Sequence, residues 1–409
     1  MSISESLAGE IPEYVGPSAG PSVEPPAIGI VEQLTNALTG LFSVQDAQHM
    51  VARRTTGVIL RGTLLGDADE VYPVIAQRFR SLGYTPTLQR DRKSDIIVAA
   101  EGLQVARRFS TPAWVHGLLL VLTIISTTLG GAGFQGYTLD LISREVLIRH
   151  NWAYLWTVIQ IGAPFALTLL LILGTHEMGH YFAARRHNVD VTLPYFIPLP
   201  ITILGTLGAV IFIKSALTNR KALFDVGISG PLAGFVVAVI AFCIGIRMPQ
   251  ISNANIGLYN MFGPFGFRGL GMPLLLQGIG AVLRPDFHNL GLQITQQPVA
   301  LAAWFGMLLT VLNLLPMGQL DGGHVTYTLF GRAAWTIATI ALVALVFLGL
   351  TVFPSLLFYA FLVLLTGLRH PPPGNDITPL DPGRKLLGYA TLVLFFLIAT
   401  PTPFLTRPY

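Results

Sequence analysis

The chain has 409 residues, 52% of them hydrophobic and only 11% charged, with a mean hydropathy of +0.62. A soluble globular chain carries roughly 25% charged residues, so these proportions point to a membrane protein. The net charge of +4 is not gathered into a basic stripe, which argues against nucleic-acid binding, and the single Cys243, set in an apolar run, excludes an internal disulfide and reads as a packing residue.

Residues 1–55 read as a disordered leader and linker, because the first 26 are rich in Ser, Glu, Gly and Pro and show little periodicity. The opening MSISESLAGEIPEY has neither the basic start nor the apolar stretch of a cleavable signal. Between residues 56 and 109 the pattern changes: GVILRGTLL predicts a strand, DADEVYPVIAQRFRSLG a helix opened by acidic residues, and TPTLQRD and DIIVAAEG two further strands. A small cytosolic α/β module of this size suits an accessory or docking role.

From residue 110 to 409 the chain predicts an all-α polytopic membrane domain. Candidate spans fall at 113–133, 155–184, 224–246, 297–316, 333–350, 353–368 and 385–403, about seven transmembrane helices. With the N-terminal module and the loop 185–223 in the cytosol, about 19 Lys and Arg residues lie inside and about 6 outside. That bias places the N-terminus inside and the C-terminus, after seven crossings, outside.

The second span ends in His176-Glu177-Met178-Gly179-His180, shortly before Arg185 and Arg186. Histidines four apart share a helical face, and two imidazole nitrogens at that spacing reach a single zinc ion. Glu177, beside the first ligand, is positioned to take a proton from water. With Arg185 at the headgroup boundary, His176 lies about 13 Å deeper at 1.5 Å per residue. Ionisable groups at such a depth are costly, so a functional reading is the default.

Two histidines and a water leave zinc one protein ligand short. A second element, NLLPMGQLDGGH, supplies a candidate: Asp321 stands among Pro316, Gly318, Gly322 and Gly323, where the backbone cannot remain regular helix. Irregular backbone at membrane depth is tolerated only against protein or a water-filled cavity, and the topology puts this turn on the same side as His176 and His180. Taken alone, Asp321 reads more readily as a turn aspartate, and the need for a third ligand reverses that; His324 is a competing candidate for the metal but reads more readily as a helix-start or interfacial histidine. Asn313, on the same span, either donates to a peptide carbonyl or developing oxyanion or packs helices together through its amide.

Together these residues resemble the site-2 protease family of intramembrane metalloproteases. The likeness rests on HEMGH, on N-x-x-P-x-x-x-L-D-G at 313–322 and on FDVGISGPLAGF at 224–235 between them, in that order. The stretch LPYFIPLPITILGTLGAVIFI is similar to the family's membrane-associated β loop, nearest its cyanobacterial and plant-chloroplast branch. The resemblance implies one zinc ion per chain held by His176, His180 and Asp321, Glu177 as catalytic acid/base, and a catalytic core over about 152–330. It further implies membrane-anchored protein substrates, and a bacterial plasma membrane with the site on the cytosolic side. Neither a PDZ-like insertion nor a nucleotide-sensing tail is present in the sequence, so those regulatory modes do not transfer. Segment 203–213 suits either a strand that pairs with an extended substrate or a re-entrant loop sealing the site. The rival class is a transporter moving metal ions or protons through the same His, Glu and Asp cluster, although no inverted repeat is visible.

Overall fold

The computed structural model describes residues 28–52, 55–91, 94–102, 111–250, 269–352 and 354–405. Its N-terminal part is built from α1 (Ile28–Ala37), β1 (Phe42–Ala52), β2 (Thr55–Leu64), α2 (Ala68–Ser81), β3 (Tyr84–Asp91) and β4 (Ser94–Glu101). The strands form one antiparallel sheet in the order β1-β2-β4-β3. Asp67 caps α2 by accepting from the Asp69 N–H, and Asp69 with Glu70 at its start and Arg78 with Arg80 at its end complement the helix dipole.

The linker expected through residue 55 is corrected here. Residues 28–52 form a helix and an edge strand of this sheet, because Leu34 on α1, Leu38 in the turn after it and Phe42 on β1 bury with Ile75, Phe79 and Leu88. Residues 1–27 of the expected leader lie outside the described residues.

The remaining elements are α3 (Ala113–Phe134), α4 (Leu139–Ser143), α5 (Trp152–Arg186), β5 (Tyr195–Pro198), β6 (Thr206–Val210), α6 (Arg220–Gly245), β7 (Gly269–Leu270), α7 (Leu274–Leu283), α8 (Leu290–Gln293), α9 (Pro298–Asn313), α10 (Asp321–Phe330), α11 (Ala333–Thr351), α12 (Ser355–Thr366), α13 (Pro382–Ile398) and β8 (Phe404–Leu405). Among the described residues four helices, α3, α5, α6 and α11, are long and apolar enough to cross a membrane, or five if α9 and the bent 290–296 segment before it count as one span. The seven full crossings expected are not met by length: α9, α12 and α13 have 16, 12 and 17 residues, against the roughly 20 a bilayer requires. Apolar composition does not reveal where the backbone breaks. Pro298 starts α9 after a 119° bend, and Pro354 and Gly367 bound α12.

The outward faces are apolar, as lipid demands: Ile125 on α3, Leu171 on α5, Ile240 on α6 and Phe347 on α11 are all exposed. This is an integral membrane protein. Inside, Phe134, Phe165 and Phe305 bring α3, α5 and α9 together, with ring centroids 5.2, 5.3 and 6.1 Å apart. Small residues allow the close approaches. A Cβ at Gly162 would fall 2.0 Å from the Thr128 oxygen of α3, and one at Gly245 would fall 2.3 Å from the Ala300 nitrogen of α9. The expected β loop is a two-stranded hairpin of β5 and β6 between α5 and α6.

A strap after α12 joins the two parts. The Leu88 N–H on the outer edge of β3 donates to the Gly374 oxygen at 2.7 Å, and the Asp376 N–H donates to the Leu88 oxygen at 2.8 Å. On its other side the strap donates from Gly374 to Leu217 at 3.0 Å and from Asn375 to Thr218 at 2.8 Å. Ion pairs flank the seam, Lys221 with Asp69 and Arg220 with Asp376, each at 2.7 Å.

Candidate metal centre

α5 is 35 residues long, so at 1.5 Å per residue it runs about 52 Å and carries His176 and His180 well below its Arg185 and Arg186 end. Both histidines are buried on one face of the helix. α9 ends at Asn313, the chain turns through Pro316 and through Gly318 at φ +58°, and α10 begins at Asp321. Glycine takes that left-handed conformation at no steric cost. Gly322 has room for no side chain, since a Cβ there would sit 2.0 Å from the Leu314 oxygen. The turn thereby aims Asp321 back at α5.

Three atoms converge. His176 Nε2 and His180 Nε2 stand 3.1 Å apart, and Asp321 Oδ2 lies 3.2 Å from the first and 3.3 Å from the second. Donor atoms bound tetrahedrally at about 2.0–2.1 Å from zinc sit about 3.3 Å from one another, so the triangle fits that ion. The tautomer agrees with this. His180 Nδ1 lies 2.6 Å from the Val226 oxygen and can only donate to it, which leaves Nε2 with a lone pair facing Asp321. Two electron-rich atoms and a carboxylate at such spacing suit a cation between them, and these three are the only such group of ligand side chains among the described residues.

α6 is the wall on which the histidines rest. A Cβ at Gly230 would fall 2.1 Å from His180 Nε2, one at Gly234 would fall 3.1 Å from His176 Cβ, and one at Gly227 would fall 2.6 Å from His324 Cβ. Sequence reasoning treated FDVGISGPLAGF as a family marker and missed this role. The signal was available in the i, i+3, i+7 spacing of Gly227, Gly230 and Gly234, which makes a flat stripe on one helical face. Asp225, one residue before Val226, is held by a bidentate Arg384 at 2.6 and 2.7 Å and by His187 at 2.8 Å, so the ends of α5, α6 and α13 are tied together.

Glu177 is buried and opens onto the same cavity as the three donors, a space of about 650 Å³. The Ile211 backbone just beyond β6 lies within hydrogen-bonding reach of its carboxylate. The amide of Asn313 is 3.3 Å from His176 Nε2, at the edge of the donor triangle. His324, the competing ligand in the sequence reading, turns elsewhere: its Nδ1 is 2.5 Å from His370 Nε2. His370 stacks on Tyr327 with centroids 4.9 Å apart, and burial and the neighbouring His324 hold its pKa down to about 3, so this ring is neutral. No motif in the sequence marks His370 or the strap, whose Pro371, Pro372, Pro373 and Gly374 line the cavity.

Residues 164–352 match peptidase family M50. The chain is 32% identical over 362 residues to "Probable zinc metalloprotease EGY2, chloroplastic" of Arabidopsis thaliana, an overlap of 85% of this chain and 61% of that protein. It is 30% identical over 373 residues to "Probable zinc metalloprotease EGY1, chloroplastic" of Oryza sativa subsp. japonica, covering 84% of this chain and 62% of the relative. Against the EGY1 protein of Arabidopsis thaliana it is 33% identical over 256 residues, covering 60% of this chain and 44% of the relative. The chain thus spans about three fifths of the length of the first two of these relatives.

Proposed function

Because the chain belongs to the site-2 protease type of peptidase family M50, in the branch that includes plant chloroplast proteins, we propose that it is an intramembrane zinc metalloprotease cutting membrane-anchored proteins in or near their transmembrane segments. The observation that carries this reading is the triangle of His176, His180 and Asp321, with sides of 3.1 to 3.3 Å, sharing one cavity with the buried Glu177.

In this reading His176, His180 and Asp321 hold one zinc ion per chain. When bound, zinc supplies Lewis acidity that polarises a carbonyl and acidifies water. Glu177 accepts the water's proton at its carboxylate and passes it to the leaving amine nitrogen. Asn313 offers its amide N–H to the carbonyl oxygen as charge gathers there. Intact transmembrane helix keeps its carbonyls in internal hydrogen bonds, so a substrate must unwind before attack. β6 belongs to a two-stranded sheet, and its continuation 211–213 lines the cavity, which favours pairing with an extended substrate over a merely sealing loop.

We place residues 28–102 as a cytosolic module and the cavity on the same side of a bacterial plasma membrane. Support comes from the Lys and Arg bias and from the strap, since Asn375 donates to Thr218 across a connection that contains α6, α9, α11 and α12. Full crossings by all seven apolar stretches satisfy that relation, the three short helices then sitting in a locally thinned or protein-lined region. The transporter alternative finds no support in the relatives, all three of which are named as metalloproteases.

The test is reconstitution of wild type and Glu177→Gln in liposomes with a panel of single-span substrates, reading fragments by mass spectrometry. Cleavage within the membrane segment by wild type alone is expected. Equal cleavage by Glu177→Gln would remove that residue from the chemistry.

A further inference from the structure

The cavity over the metal centre is not made by the membrane domain alone. Tyr72 of α2 and Thr85, Pro86 and Thr87 of β3 line it together with Glu177 and Asp321. Its volume of about 650 Å³ falls within the range of spaces that enclose a ligand. The module holds this position through defined bonds. Tyr72 donates from its hydroxyl to the Pro86 oxygen at 3.0 Å and packs so tightly on the strap that a Cβ at Gly374 would fall 2.2 Å from that hydroxyl. Pro86 has no N–H to offer on the outer edge of β3, and Leu88 spends both of its outward groups on the strap, so this edge is closed to a further strand. The alternation of β3 buries Pro86 and Leu88 and turns Thr85 and Thr87 to the opposite face.

The lining has a uniform chemistry. Away from the metal donors and Glu177, the wall carries no Lys, Arg or further carboxylate: Tyr72, Thr85, Thr87, Ser215, Gln319 and the strap prolines stand beside apolar 209–213, with the rings of His324 and His370 paired to each other. Three nearby cations are engaged outside the space, Arg220 with Asp376 at 2.7 Å, Lys221 with Asp69 at 2.7 Å and Arg332 with Asp91 at 3.8 Å. A charged side chain entering this space meets no partner on these walls and loses water.

We propose that the N-terminal module and the 371–374 strap form a subsite for the substrate's flank, which admits an extended, uncharged stretch of polypeptide next to the scissile bond and rejects a charged one. This rests on the proteolytic reading above and deepens it: the module selects substrates by the charge of the segment leading away from the cut.

The experiment uses the full chain in liposomes and a single-span substrate with a neutral flank, in which one Lys, Asp or Gln is walked across the residues beside the membrane segment. Lys and Asp are expected to lower kcat/KM by about tenfold or more relative to Gln over a short window and to be harmless beyond it, since a tenfold loss corresponds to only about 1.4 kcal/mol of the cost of an unpaired, desolvated charge. Thr87→Glu should then restore the Lys substrate in that window while leaving the Asp substrate poor. Tolerance of charge at every position, or equal response of Lys and Asp substrates to Thr87→Glu, overturns the proposal. A photo-crosslinking residue at position 87 in the Glu177→Gln background gives a readout without turnover: it should capture the neutral flank and fail to capture the Lys-bearing one, and capture of both equally counts against the subsite. If wild type cleaves no substrate in the panel, proteolysis of such substrates falls, and the crosslink still decides whether the module contacts the flank.

Discussion

His180 Nδ1 and the Val226 carbonyl oxygen are 2.6 Å apart, although 46 residues separate them in sequence. This one bond decides which ring nitrogen carries the proton and therefore which is free for a metal. It depends on α6 lying close against α5, which Gly230 permits.

Gly230→Ala is therefore expected to weaken zinc binding by about 10- to 100-fold, the range for disturbing a group that orients a ligand. The added methyl would enter at 2.1 Å from His180 Nε2 and push the ring out of the triangle. Gly133→Ala is the control, because its Cβ meets nothing within 4 Å. Competition titration of both purified proteins with a zinc-binding dye makes the comparison, and equal affinities would show that the α6 stripe does not set the ligand geometry.

Replacing His176, His180 or Asp321 by alanine should strip zinc from the purified protein or leave it well below one equivalent, since each removal leaves two protein donors. His324→Ala should keep the full equivalent, because that ring is engaged with His370 at 2.5 Å. Elemental analysis after gel filtration distinguishes the two patterns. Stoichiometric zinc in Asp321→Ala would remove that carboxylate from the ligand set.

Glu177→Gln separates chemistry from metal binding. The residue lies outside the donor triangle, so zinc content and thermal stability should match wild type. Loss of the proton acceptor should lower turnover by on the order of 10²–10⁴-fold. Fragment yield at fixed zinc occupancy is the measurement, and a parallel loss of zinc would mean that Glu177 serves the metal itself.

Orientation can be read with an impermeant thiol reagent applied outside intact cells, after Cys243 is replaced. Cysteines at exposed Thr218 and Pro379 should be protected and one at exposed Asn289 should react. Asn375 is unsuitable for this purpose, being only 1% exposed and donating from its side chain to the Ala68 oxygen at 3.1 Å. Labelling at Thr218 from outside would put the cavity on the opposite face.

The sequence by itself determined whatever depends on near neighbours along the chain. Hydrophobic composition settled the solvent, since runs of about 20 apolar residues have no other good explanation in a chain so poor in charge. The four-residue spacing put His176 and His180 on one face, because helix geometry leaves no alternative. Proline and glycine around Asp321 announced a break in the helix, and the strand and helix patterns from residue 57 to 102 recur as β2, α2, β3 and β4.

Tertiary structure decided everything that rests on pairs far apart in sequence. Periodicity over residues 28–52 is too short to separate a linker from a helix and an edge strand until Leu34, Leu38 and Phe42 find Ile75 and Phe79. Apolar runs at 297–316, 353–368 and 385–403 could not disclose that their helices are shorter than a bilayer, because hydrophobicity measures partition and not continuity of hydrogen bonding. The meeting of Asp321 with α5, the service of Gly230 as a rest for an imidazole, and the strap that fastens Leu88 to Gly374 are contacts between residues 50 to nearly 300 positions apart. Such contacts form only once burial of the helix faces has paid the entropy of closing those loops, and no local pattern in the chain records which partners that closure brings together.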